Sequence, residues 1–79
     1  DIFTVYPNPV MGNLNIVLTD VYPAAEISIA NMAGIVLYRI AAGDQWEIEI
    51  NTNNFAEGVY VVQIQSTDFI QSQKIIIVK

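Results

Sequence analysis

The chain has neither cysteine nor histidine among its 79 residues. Without a thiolate or an imidazole there is no disulfide framework, no Ser-His-Asp or Cys-His catalytic machinery, and no zinc site built on those ligands. Cations are almost as scarce. Arg39, Lys74 and Lys79 stand against eight carboxylates, for a net charge of -5, which disfavours nucleic acid and anionic membrane surfaces as partners. No apolar run approaches the roughly 20 residues that cross a bilayer, and the opening DIFTVYPNP lacks the basic and apolar regions of a signal peptide. Any export signal of that kind is expected upstream of Asp1, and a chain that starts on Asp and ends on an apolar run reads as the C-terminal piece of something longer. Helical periodicity, internal repeats and low-complexity runs are also missing.

What remains is β pattern. A chain of this length supports one domain and buries only about 60% of its unfolded surface, so no deep cleft is expected. Its apolar content of 53% supplies a core without staples. Alternating apolar residues, broken by turn residues every eight to twelve positions, predict strands over residues 2–6, 14–19, 26–31, 35–40, 46–50 and 59–65, then a closing strand in the tail. Seven short antiparallel strands imply a single small immunoglobulin-like β-sandwich. Leu14, Ile16 and Leu18 share one face, as do Ile27 with Ile29, Trp46 with Ile48 and Ile50, and Tyr60 with Val62 and Ile64. Residues 35–40 are apolar on both faces apart from Arg39, which predicts a strand buried on both sides. Pro7, Asn8 and Pro9 end the first strand, Gly12 with Asn13 releases the second, and Gly34 suits the turn of a hairpin at Asn31-Met32-Ala33-Gly34.

The chemistry open to such a chain is narrow. Glu47 and Glu49 point the same way on a strand, and a carboxylate pair of that kind is able to hydrolyse glycosides; opposite Trp46, Ile48 and Ile50, they read instead as a solvated strand face. Asp20, Asp44 and Asp68 each fall in a loop, but none lies in a run of alternating oxygen ligands that would mark a calcium site. No catalytic, metal or cofactor site is therefore expected. Tyr22, in a loop, is the one aromatic placed to stack on a sugar, while Tyr60, just after Gly58, stands where sandwiches use a tyrosine hydroxyl to brace the preceding corner.

The tail FIQSQKIIIVK reverses the charge. One cation meets eight carboxylates up to Asp68, or -7, whereas Phe69 onward carries +2. Lys74 and Lys79 bracket Ile75, Ile76, Ile77 and Val78. Read alone, the lysines are either gatekeepers of an aggregation-prone edge strand or part of something a partner reads. An unpaired last strand would invite strand addition by that partner, or weak self-association.

Tyr6-Pro7-Asn8-Pro9 with Gly12 and the strand of Leu14 and Leu18, then Ile27, Ile29, Asn31 and Gly34, then Phe55, Gly58, Val59, Tyr60 and Val62, and last Lys74, Ile75 and Lys79, together resemble the type A C-terminal sorting domain of the type IX secretion system. The likeness spans nearly the whole chain, with Trp46 and Asn53-Asn54-Phe55 as minor departures. It implies that residues 1–79 are an export signal and no enzyme. An upstream cargo would reach the periplasm of a Gram-negative bacterium, pass a translocon in the outer membrane, meet a β-barrel shuttle protein, and be released or attached at the surface by a sortase-like cysteine peptidase. On this likeness Gly58, Val59 and Tyr60 and the run Lys74, Ile75, Ile76, Ile77, Val78 and Lys79 are the recognition elements, and Pro7, Asn8 and Pro9 shape the entry to the domain. The competing reading is an accessory adhesion or carbohydrate-binding module of an extracellular enzyme.

Overall fold

The computed structural model describes residues 2–79 and contains seven strands: β1 (Phe3–Tyr6), β2 (Asn13–Leu18), β3 (Glu26–Asn31), β4 (Val36–Ala41), β5 (Glu47–Asn51), β6 (Gly58–Gln65) and β7 (Ile70–Ile77). They form two antiparallel sheets, ordered β1-β2-β5 and β4-β3-β6-β7, which pack face to face as a small immunoglobulin-like sandwich. Alternation decides which side of each strand meets the other sheet. Leu14, Ile16 and Leu18 of β2 and Ile48 and Ile50 of β5 face Ile27 and Ile29 of β3, Val62 and Ile64 of β6, and Ile75 and Ile77 of β7 in one buried cluster. Burying such a side chain contributes about 1.5–3 kcal/mol, so this cluster is what holds a fold without cross-links together.

Turn chemistry supplies the connections. Gly12 and Gly34 take φ of +86° and +84°, a region that other L residues enter at a cost of roughly 1–2 kcal/mol. In the β3–β4 hairpin the Asn31 side-chain oxygen accepts from the backbone N–H groups of Ala33 and Ile35, both at 3.0 Å, and so sets the turn that Gly34 completes. Both Tyr6-Pro7 and Asn8-Pro9 are cis, and the chain leaves β1 there. Thr52, buried, donates both its backbone N–H and its hydroxyl to the Gly12 carbonyl, which ties the β5–β6 loop to the β1–β2 turn.

Two expectations fail. The strand at β4 is not buried on both faces: it is the edge of its sheet, its outer side has no strand partner among the described residues, and Val36 and Leu37 are 42% and 50% exposed. A register shift against Ile29/Ala30 breaks its alternation, so apolar residues on both faces here record exposure. Trp46 does not face the core either, being 54% exposed. It sits on a bend before β5 begins, where its carbonyl accepts from the Leu18 N–H at 2.7 Å and its side chain swings clear of Ile48.

Candidate functional site

The β6–β7 pairing unites the two segments singled out in the sequence. Gly58 lies opposite Ile77, Val59 opposite Ile76, Tyr60 opposite Ile75, and Val61 opposite Lys74. The pleat then divides them between two faces. Tyr60, Ile75 and Ile77 point into the core, the two isoleucines at 0% and 1% exposure, whereas Val59 and Ile76 stand side by side on the outer face with Ile76 43% exposed. Lys74 and Lys79 are exposed and Val78 is half-buried. Val59, Lys74, Ile76, Lys79 and part of Val78 are thus accessible from outside, while Tyr60, Ile75 and Ile77 are covered.

Over Lys74 to Val78 the edge of β7 is not free: Asn8 and Val10 occupy it, which closes that stretch to the strand addition or self-association expected of an unpaired last strand. The Asn8 side chain takes the place of a neighbouring strand, its Nδ2 donating to the Lys74 carbonyl at 3.2 Å and its Oδ1 accepting from the Ile76 N–H at 3.1 Å. Val10 continues the ladder as a parallel bridge: its N–H donates to the Ile76 carbonyl at 2.7 Å, and its carbonyl accepts from the Val78 N–H at 2.9 Å. Further up, the Ile2 N–H donates to Gln71 Oε1 at 3.0 Å, and Gln73 Nε2 donates to the Phe3 carbonyl at 2.6 Å. Pro7 and Pro9 flank the asparagine that makes this closure. Main-chain recognition of Lys74 to Val78 would require stripping it away.

The far end is clamped by the β5–β6 loop. The Tyr60 hydroxyl donates to the Ala56 carbonyl at 2.6 Å, and its ring packs edge-on against Phe55, so the predicted corner tyrosine is present. Lys79 closes the same loop from the other side, with its backbone N–H on Glu57 Oε1 at 2.8 Å and its ammonium on the Asn53 carbonyl.

Beyond β6 and β7, the outer face of the four-stranded sheet falls into two halves. The cross-strand row Lys74, Val61, Ala30 and Val36, with Val59 and Ile76 beside it and Met32 at the hairpin tip, is apolar but for its one cation. The next row, Ser72, Gln63, Ser28 and Arg39, is polar, and Arg39 is paired with Glu26 at 3.2 Å.

Family comparison agrees with this geometry: the model of the secretion system C-terminal sorting domain matches residues 4–78, from β1 through the end of the closing strand. The chain belongs to that family. It is a C-terminal sorting signal of the type IX secretion system, an address for export with secretion or surface attachment as its outcome, and a sorting signal is not a catalytic domain. No curated protein matches the chain, so the family match carries the assignment.

The other candidate chemistries of the sorting domain disperse over its surface. Glu47 and Glu49 are exposed on either side of buried Ile48, as a solvated strand face requires. Among the described residues no three acidic side chains gather as a metal site would need. Tyr22 is half-buried, its ring edge-on to Phe69 at 5.3 Å and its hydroxyl 3.1 Å from Thr19 Oγ1, so it is held by the fold and does not stand out as a stacking platform. Tyr6 and Trp46 are exposed but lie at opposite ends of β2, beside Asn15 and Leu18, and form no platform. Sequence reasoning missed Ala30, Met32 and Val36, because β3 alternation marks Ala30 only as outward-facing and the hairpin residues carry no chemistry of their own. It also missed Asn8 as a strand mimic, since its partners lie 66 and 68 positions away.

Proposed function

We propose that this sorting domain is read as a folded object, through the side chains on the outer face of β6 and β7. The observation that carries the reading is the covered edge. With Lys74 to Val78 already hydrogen-bonded to residues 8–10, the parts of the tail left for a partner are Lys74, Ile76 and the neighbouring Val59. On this reading residues 1–79 lead an upstream cargo across the outer membrane of a Gram-negative bacterium, a β-barrel shuttle protein receives the domain outside, and a sortase-like cysteine peptidase separates it from the cargo. Gly58, Tyr60, Ile75 and Ile77 act as the frame that holds the read residues in register, and Lys79 acts as a clamp on the β5–β6 loop.

The test is export of a periplasm-targeted fluorescent reporter fused to residues 1–79 in a host with a working type IX system. Lys74→Ala and Lys79→Ala are compared singly, because the two lysines do different things. The intact fusion reaches the medium or the cell surface. Lys74→Ala keeps the melting temperature and loses export, whereas Lys79→Ala loses loop contacts first. Retention of the intact fusion in the periplasm would refute the sorting role, and full export of Lys74→Ala would refute reading through that side chain.

A further inference from the structure

The read surface continues past β6. In the polar half of the sheet, Gln63 and Arg39 flank Ser28; in the apolar half, Val61 and Val36 flank Ala30. The small side chains of β3 between taller neighbours leave a furrow of about 330 Å³, floored by Ala30 and Ser28 and walled by Val61, Val36 and Met32. Met32 stands 60% exposed at its end. Asn31, Gly34 and Gln63 complete the lining, so the furrow offers an apolar wall with polar groups at its rim.

Charge defines what fits it. Arg39 is ion-paired with Glu26 and the Lys79 ammonium is hydrogen-bonded to the neutral Asn53 carbonyl, so among the described residues Lys74 is the cation whose head group has neither kind of contact. It stands at the end of the row that runs through Val61 to Ala30, two strand spacings, or roughly 10 Å, from the floor of the furrow. We propose, building on the sorting role, that this furrow and Lys74 form one docking site for a protein of the export apparatus that presents an apolar side chain and a carboxylate roughly 10 Å apart. The side chain fills the furrow over Ala30 between Val61 and Met32, and the carboxylate pairs with Lys74. A second copy of the chain is poorly suited: it brings a further -5 of charge, and the one carboxylate among the strand residues of this face, Glu26, is already paired.

The experiment uses the same reporter fusion with five changes. Ala30→Trp plugs the furrow, Met32→Glu puts an anion on its exposed wall without touching the core, Lys74→Glu reverses the charge, Lys74→Arg keeps it, and Ser72→Trp adds the same bulk to the polar half. The expected result is export of the intact, Lys74→Arg and Ser72→Trp fusions, with the extracellular fraction of the other three down about tenfold or more, the factor carried by each 1.4 kcal/mol of binding. Melting temperatures are read in parallel, and if Ala30→Trp is unfolded, Met32→Glu decides. Export of Met32→Glu and Lys74→Glu alongside the intact fusion overturns the docking site while leaving the sorting role standing. If the intact fusion stays inside, both fall. A dimer of the isolated domain that Met32→Glu converts to monomer would give the furrow to a second copy and overturn the partner proposed.

Discussion

Replacing Asn8 by alanine is the sharpest probe of how the last strand is held. The change deletes two hydrogen bonds to β7, from the Ile76 N–H at 3.1 Å and to the Lys74 carbonyl at 3.2 Å, and touches no core side chain. A protein hydrogen bond contributes about 0.5–1.5 kcal/mol net. Both of these are solvent-facing, so water replaces them in part, and the low end applies to each; the pair is worth about 1 kcal/mol. In a domain of this size that lowers the melting temperature by about 4–8 °C. The Ile76 amide loses its acceptor, so its hydrogen exchange accelerates, whereas the Val78 amide keeps the Val10 carbonyl at 2.9 Å and changes less.

A thermal melt followed by circular dichroism and amide exchange by NMR read both effects, with Asn13→Ala, an exposed asparagine on β2, as the comparison. Surface changes of that sort stay within about 0.5 kcal/mol. Sedimentation adds a third readout, since an opened edge on an apolar strand recruits another and the variant self-associates as concentration rises. If Asn8→Ala melts with Asn13→Ala and the Ile76 amide exchanges as before, the edge is not held by this side chain, and the case for reading the tail through its outer face loses its main support.

Two further expectations separate frame from surface. Ile75→Ala, at a fully buried position, costs about 3 kcal/mol in urea unfolding, while Ile76→Ala, next to it but facing out, costs less than about 1 kcal/mol; equal losses would mean that the strand is packed on both faces. Tyr60→Phe removes the bond to the Ala56 carbonyl and lowers stability by about 1 kcal/mol with no change in the denaturant slope, and an unchanged midpoint would show that the corner does not depend on the hydroxyl.

The strands were legible because one face of most of them is buried and the other wet, which prints a period of two onto β2, β3, β5 and β6. The strand count, the hairpin at Gly34 and the corner at Tyr60 all follow from that pattern and from turn chemistry, whereas the pairing of the two tail segments emerges only in the fold. What misled was apolar character that burial does not explain. Residues 35–40 look like a central strand, yet at an edge the same composition exposes Val36 and Leu37, and no local rule separates a core from a contact surface. Trp46 keeps the parity of Ile48 and Ile50, but a bend before β5 takes it out of register with them. The closure of β7 was out of reach for another reason: its hydrogen bonds join residues 2–10 to residues 71–78, and nothing near Asn8 in the chain announces a partner.

These features bear on what such a signal is able to report. Val59 and Ile76 are separated by most of β6 and β7 in the chain and become neighbours only when the two strands pair. Ala30 joins Val61 only when β3 adds to the other side of β6, and Lys74 aligns with both only in the native register, because a slip of one residue would send it inward and Ile75 out. The apolar run itself is therefore a poor address, since an unfolded chain displays it as well as a folded one. The face is a better one: Ile75 and Ile77 secure the core, Asn8 and Val10 hide the edge, and what remains exposed exists only in the completed sandwich. A partner that binds this face discriminates folded from unfolded domain with no separate inspection step, through the same alternation that makes β7 a strand.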